Sequence, residues 1–465
     1  MGRRSEPKGR WESADLVRRL LGALDVAEQV LKHLATDGYT DAGEPSVSVR
    51  PEKTVAETAV LLLAAASVDG RPEVSRRLDQ LARLLIPHAR GARTRMGICF
   101  EPALALDYAQ AHACLVKMGH PDPAFDALLR QALGAQSFGG RERPPHRGLE
   151  QRWTAELLGL QSLLRPPSFA KLASQSALGR PMDLLGGGRE DVYAFTHAFM
   201  YATDPHLTRK RLPRSRTELL LEAEVALAKC LDQEDYDLGG EVLLAWPSSG
   251  RTWSATAAFA FRVLARVEDE AGFLPSAGLR MKRVNALAGR ERSNYVLAAS
   301  YHTAYVMGLL CAASLRPGRE PPLRLRAPKV PAEASALASR FVQGLNVRPH
   351  WTRYYDDLLP EERDALVGFV LTVSLHRACK ARDLDVIRQV LELAHSSGMS
   401  DGPGSSQAAE LLQRAAAFAG ASIAAVSSGA SVTRTVPCTA QVDDAPALGD
   451  LEPGATEAGR LASSA

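Results

Sequence analysis

EDVYAFTHAFMYATD, residues 190–204, places a polar stripe on an otherwise apolar segment. Read as a helix, it brings Glu190, Tyr193, His197, Tyr201 and Asp204 onto one face, with Val, Ala, Phe and Met filling much of the rest. Pro205 disfavours helix at the residue before it and marks the expected end. Lining a cavity, His197 would serve as general acid or base, because the ordinary imidazole titrates near neutrality. Tyr193 and Tyr201, one turn to either side, would donate hydrogen bonds or offer their rings to a ligand. Asp204 would orient the imidazole or bind a cation. Lining a core instead, the same groups would form a buried polar network tying the helix to its neighbours.

The theme returns in SNYVLAASYHTAYVMGLLCAAS, residues 293–314, where Tyr295, His302 and Tyr305 share a face and Tyr301 stands beside them. The expectation is one cavity walled by both helices, with His197 and His302 as an acid–base pair flanked by Tyr193, Tyr201, Tyr305 and Asp204. No HxxxH, HxH or HExxH spacing supplies two ligands locally, so neither a metal nor another cofactor is expected.

Working outward, the chain reads as helices joined in many places by Gly/Pro turns. Residues 52–68 and 72–89 pair across Asp69-Gly70-Arg71-Pro72, and 102–118 pairs with 123–135 across Gly119-His120-Pro121-Asp122. Residues 138–148 read as a loop and 150–164 as an amphipathic helix. Further helices are expected at 218–231, 236–246, 253–267, 293–315, 332–344, 360–380, 383–397 and 407–426. No run of alternating strands is visible, so the fold class is all-α. Serial hairpins of this kind close into an (α/α) toroid or stack as an open solenoid, and the missing repeat consensus favours the toroid. Residues 1–11 read as a basic arm, 12–316 as the main helical domain and 317–331 as a Pro-rich linker. Residues 332–426 read as helices returning to that domain, and 427–465 as a disordered tail.

Gly186-Gly187-Gly188 precedes the first polar helix, but its spacing matches no phosphate-binding loop and no strand leads into it, so it reads as a hinge. Asp356-Asp357 with Glu361-Glu362 resembles a diphosphate–magnesium motif, yet Pro360 with acids after it is a helix start. The acidic runs Asp232–Asp237 and Glu268–Glu270 are given no catalytic role.

The 465 residues carry 56 basic and 53 acidic side chains, a near balance that argues against nucleic acid as a partner. Six cysteines lack a CxxC pair, which excludes a disulfide framework and a zinc ribbon and fits a reducing cytoplasm. No secretory h-region follows the charged start. Residues 415–433 are uncharged but Ala/Ser/Gly-rich, and read as a packed helix rather than a membrane span.

Four segments, DVYAFTHAFMYATD, GGEVLLAWP, ATAAFAFRVLARVEDEAGFLP and SYHTAYVMGLLCAA, resemble an uncharacterised actinobacterial-type helical family over residues 190–316. The helix pairs with their GFLP turn look like the (α/α) toroids of terpene cyclases and prenyltransferase subunits. That resemblance implies a bacterial helical protein with a central cavity. The DxDD of the toroidal cyclases is absent, as is a Cys–His zinc pattern. The functional expectation is therefore a cavity for a small, partly apolar molecule, with metal-independent acid–base chemistry. The alternative is a non-catalytic scaffold that presents its surface to another protein.

Overall fold

The computed structural model describes residues 11–34, 51–68, 70–204, 206, 211–326, 330–399 and 402–427. The chain divides into two compact units, Met1–Leu412 and Gln413–Ala465; the described part of the second is the end of the last helix. Pro205 and residues 428–433 lie outside the described residues, as do most of the basic arm and tail.

Among the described residues every regular element is helical. The first half holds α1 (Ser13–His33), α2 (Pro51–Ala66), α3 (Pro72–Arg90), α4 (Ala92–Phe100), α5 (Ala105–Tyr108), α6 (Gln110–Lys117), α7 (Pro123–Gly134), α8 (Pro145–Leu157), α9 (Phe169–Gln175) and α10 (Arg189–Thr203). Next come α11 (Arg216–Asp232), α12 (Tyr236–Leu243), α13 (Ala245–Ser249), α14 (Ala255–Ala271), α15 (Met281–Ala286) and α16 (Gly289–Ser314). The chain continues through α17 (Ala332–Gln343), α18 (His350–Asp356), α19 (Pro360–Asp364), α20 (Val367–Ala381), α21 (Leu384–Ser396) and α22 (Pro403–Ser427).

Local chemistry sets many boundaries. Asp122, Ser215, Asp235, Ser254 and Asp383 each accept a backbone N–H of the first turn, at the starts of α7, α11, α12, α14 and α21. Gly272 ends α14 at φ +78°, a left-handed conformation that glycine adopts without steric cost. The structure departs from the sequence reading at residues 102–118. There a short 3₁₀ turn, α5 and α6 replace one helix; Tyr108 lies across Gly97 and donates to Glu101 Oε1 at 2.9 Å. α4, α15 and α18 were not anticipated, and α8 begins inside the expected loop.

Six helices form a closed cycle of neighbours: α2 packs on α6, α6 on α8, α8 on α10, α10 on α12, α12 on α16, and α16 back on α2. α16 is the spine, in contact also with α1, α13 and α15. By length and composition it could cross a bilayer, but 56% of its apolar window is buried, the pattern of a core helix. Two glycines allow close approach to it. A Cβ on Gly308 would lie 2.6 Å from Ala23 Cβ, and one on Gly240 would lie 2.6 Å from Val306 Cγ1. α1 is locked to α14 by Arg19, which is 2% exposed. Arg19 donates to Ala265 O at 3.2 Å and pairs with Asp269 at 2.6 Å, Asp15 at 3.2 Å and Glu268.

The segment expected as a linker is held at Arg319, Pro321 and Leu323. Trp11 N–H donates to Pro321 O at 3.0 Å and Trp253 Nε1 to Arg319 O at 2.8 Å, while Arg262 donates to Leu323 O. Glu362 pairs with Arg262, Asp357 with Arg266 and Asp356 with Arg348, so three of the four acids that resembled a diphosphate motif serve three separate arginines.

Candidate functional site

The helix cycle surrounds a cavity of about 430 Å³. α10 contributes Tyr193, Thr196, His197, Met200 and Tyr201, and α16 contributes His302, Tyr305, Val306 and Leu309. α2 supplies Glu57, α8 supplies Arg147 and Glu150, and α12 supplies Glu241. A larger cleft of about 900 Å³ opens beside Trp11 and Trp253, but no histidine or buried carboxylate lines it.

The start of α10 explains how its stripe is aimed. Asp191 Oδ2 accepts the N–H of Gly188 at 2.7 Å, and Asp183 Oδ1 accepts that of Gly186 at 2.9 Å. Two carboxylates thus occupy donors that a phosphate cradle would need. Arg189 pairs with Asp235 at 2.8 Å and fixes α10 against the start of α12. Tyr193, His197 and Tyr201 then form a ladder of rings, with centroid separations of 3.8 and 6.2 Å.

The two ends of the sequence stripe leave this face. Glu190 is exposed in the first turn. Asp204 is the non-helical residue after α10; it accepts from Trp153 Nε1 at 2.6 Å and from His206 N–H at 2.7 Å, outside the cavity lining. Tyr295 also lies elsewhere, accepting the N–H of Arg280 at 3.2 Å under the guanidinium of Arg283. Tyr193, His197, Tyr201, His302 and Tyr305 all line the one cavity.

One end of the cavity is a phenol–guanidinium cluster. Arg147 pairs with Glu150 Oε2 at 2.7 Å and donates to Tyr193 OH at 3.1 Å, while Tyr201 OH donates to Glu150 Oε1 at 2.8 Å. Burial, with Glu241 and Glu150 nearby, pushes the Tyr193 phenol up to about 12, so it stays neutral and able to donate.

The other end is organised by His302. Its Nδ1 bonds Asp237 Oδ1 at 2.7 Å, and Thr303 Oγ1 donates to the same oxygen at 3.1 Å. Nε2 faces Glu57 Oε1 at 3.4 Å and Glu241 Oε1 at 3.9 Å. Burial opposes the imidazolium, but the three carboxylates outweigh it and raise its pKa. Burial likewise lifts Glu241 above the usual carboxylate range, although the charge on His302 pulls it back.

His197 behaves differently. Burial, with Arg147 and His146 nearby, pushes it down to about 3. Its Nδ1 bonds Tyr193 O at 3.1 Å, which assigns the proton to Nδ1 and leaves Nε2 as acceptor. At neutral pH its 3.6 Å approach to Glu241 Oε2 is therefore a contact of a neutral ring, not an ion pair. Glu241 approaches both histidines, with Oε2 at 3.6 Å from His197 Nδ1 and Oε1 at 3.9 Å from His302 Nε2.

Sequence reasoning missed Glu57, Arg147, Glu150, Asp237 and Glu241. Two signals were available. Asp237 and Glu241 are spaced i, i+4, one face of a helix, and Glu57 is the one charge in the run TVAETAVLLLAAA.

Fold and site define an all-helical protein with a buried tyrosine–histidine–carboxylate cavity. The chain belongs to the family described as a domain of unknown function, DUF6895, which matches residues 20–312. The match starts far ahead of the 190–316 resemblance and takes in two thirds of α1 and nearly the whole of α16. No curated protein and no solved structure matches the chain.

Proposed function

We propose that the cavity binds a small, partly apolar molecule, and that the helix cycle around it is a variant of the (α/α) toroid. The observation that carries this reading is the convergence of the α10 and α16 stripes on one cavity, with Glu241 close to a histidine of each. A volume near 430 Å³ falls within the range of small-molecule sites. Ala56, Val60, Leu104, Met200, Leu244, Val306 and Leu309 give it apolar walls. Polar groups gather at two ends, which suits a ligand with an apolar middle and oxygen or nitrogen functions at its extremities. Tyr193 and Arg147 would donate to one end, and His197 Nε2 would accept along the wall.

The test is a small-molecule library screened by thermal shift against the wild type and Ala56→Trp, which fills the space from α2. Ligands should raise the wild-type melting temperature and leave Ala56→Trp unmoved, with the helical circular dichroism of the two proteins alike. Hits that stabilise both proteins equally, or no hit on the wild type, would count against the cavity as the binding site.

A further inference from the structure

We propose that Glu57, Glu241 and His302 bind one divalent transition-metal ion, of the zinc or manganese kind, at the floor of the cavity. The three residues come from α2, α12 and α16, and both carboxylates approach the Nε2 side of His302. His302 Nε2 lies 3.4 Å from Glu57 Oε1 and 3.9 Å from Glu241 Oε1, and neither approach is a hydrogen bond. Ligands about 2.0–2.2 Å from one ion stand roughly 3–3.5 Å apart, so both histidine–carboxylate separations are near those of ligands that share an ion. Asp237, Glu241 and His302 also present ligand atoms within 4.8 Å of one another, so the histidine is ringed by carboxylates on both of its nitrogens.

The outer atoms are already fixed by other partners. Asp237 holds His302 Nδ1 at 2.7 Å, which directs the Nε2 lone pair inward once the ring is neutral. Tyr301 OH donates to Glu57 Oε2 at 2.9 Å, and Thr196 Oγ1 donates to Glu241 Oε2 at 2.6 Å. Each carboxylate thus has one oxygen held and the other turned toward His302. Supporting bonds of this kind orient ligands in metal centres.

Among the described residues Glu241 Oε1 makes no hydrogen bond and faces His302 Nε2 at 3.9 Å, which leaves its lone pairs open to a cation. Lys53, 55% exposed, reaches Glu57 Oε1 at 3.5 Å from the solvent side, a loose pair that the ion would displace. One imidazole nitrogen with two carboxylate oxygens suits zinc, manganese, iron or cobalt better than magnesium or calcium. The ion's remaining positions open into the cavity, where it would act as a Lewis acid toward an oxygen-bearing ligand. The ligand class rests on the proposed cavity function, whereas the metal site does not.

The experiment uses the full chain, stripped with chelator and titrated separately with Zn²⁺ and Mn²⁺ in a calorimeter, with metal content read by elemental analysis. One equivalent per chain is expected. Glu241→Gln should weaken binding at least about 100-fold, and Asp237→Asn about 10–100-fold. Glu190→Gln, exposed on α10, should change nothing. Absence of stoichiometric binding in the wild type, or undiminished binding in Glu241→Gln, overturns the proposal. X-ray absorption of the zinc-loaded wild type supplies a readout free of folding effects: one imidazole among oxygen ligands is expected, and a shell without imidazole overturns it. Metal uptake without small-molecule binding would sink the cavity reading alone, and the reverse result would sink this one alone.

Discussion

Replacing Gly308 by alanine tests the packing that holds the spine helix in place. The new methyl would lie 2.6 Å from Ala23 Cβ and 2.8 Å from Leu61 Cδ1. Carbon atoms rest about 3.5–4.0 Å apart, so the overlap is roughly 1 Å on two sides. Leu61 can rotate its methyl aside, but Ala23 Cβ moves only with the backbone of α1. Overpacking of this kind costs about 1–3 kcal/mol, against which helix propensity returns about 0.8–1 kcal/mol for Gly→Ala. The net expectation is a loss of about 0–2 kcal/mol. Gly22→Ala is the matched control: Gly22 is exposed on α1 with no heavy atom within 4 Å of its would-be Cβ. It keeps the propensity gain without the clash and should stabilise by about 0.5–1 kcal/mol. Urea unfolding followed by circular dichroism reads both, as midpoints displaced in opposite directions with unchanged slope. A midpoint raised as far by Gly308→Ala as by Gly22→Ala would mean that α1, α2 and α16 stand further apart than described.

Arg19→Met should cost about 3–5 kcal/mol by stranding the partly buried Glu268 beside Asp269, and Arg19→Lys should recover only part because it lacks the planar fork. Unfolding midpoints check this, and a loss below about 1 kcal/mol for the methionine variant would remove Arg19 as the lock between α1 and α14. Burial holds His112 and His376 below the ordinary imidazole value and pushes His146 down to about 4. Unfolded histidines take up protons from about pH 6.5 downward, so between there and pH 4 the unfolded chain binds more protons than the native one. The contribution of these groups is fully present above pH 6.5 and is lost as pH falls through that window. Denaturation at pH 7 and pH 5 should show it as a smaller difference in His146→Gln than in the wild type; an identical pH dependence of the two proteins would contradict the buried neutral state of His146.

How much of this was legible depended on the range of each interaction. The ladder Tyr193/His197/Tyr201 is a matter of helical period, and the all-α class follows from apolar spacing and turn residues, so both could be read from the chain. The period misled only at its ends. It assumes that the helix continues, and at Asp204 the backbone has already turned to ψ 125°, which takes the carboxylate away to Trp153 and His206. The broken helix at 102–118 was hidden for a different reason, since the packing of Tyr108 over Gly97 leaves no trace in local propensity.

The environment of His302 lay furthest from view. Its orientation depends on Asp237, 65 positions away, and the Glu57 that it faces is tied to Tyr301 across 244 positions. Nothing in local periodicity links those segments, and the sequence instead suggested the nearest chemical relative, His197. What the chain did encode was a charge without an obvious reason: a glutamate amid the apolar residues of α2, and another behind two glycines in α12. A carboxylate in such a place is expensive unless something cationic meets it, so its presence is itself a statement about a partner. Gly240 adds to that statement, because its missing side chain lets α12 approach Val306 of α16 and brings Glu241 toward His302. Polar residues that break an apolar helix, beside glycines that permit close approach, were therefore better guides to the cavity floor than the histidine-bearing stripe alone.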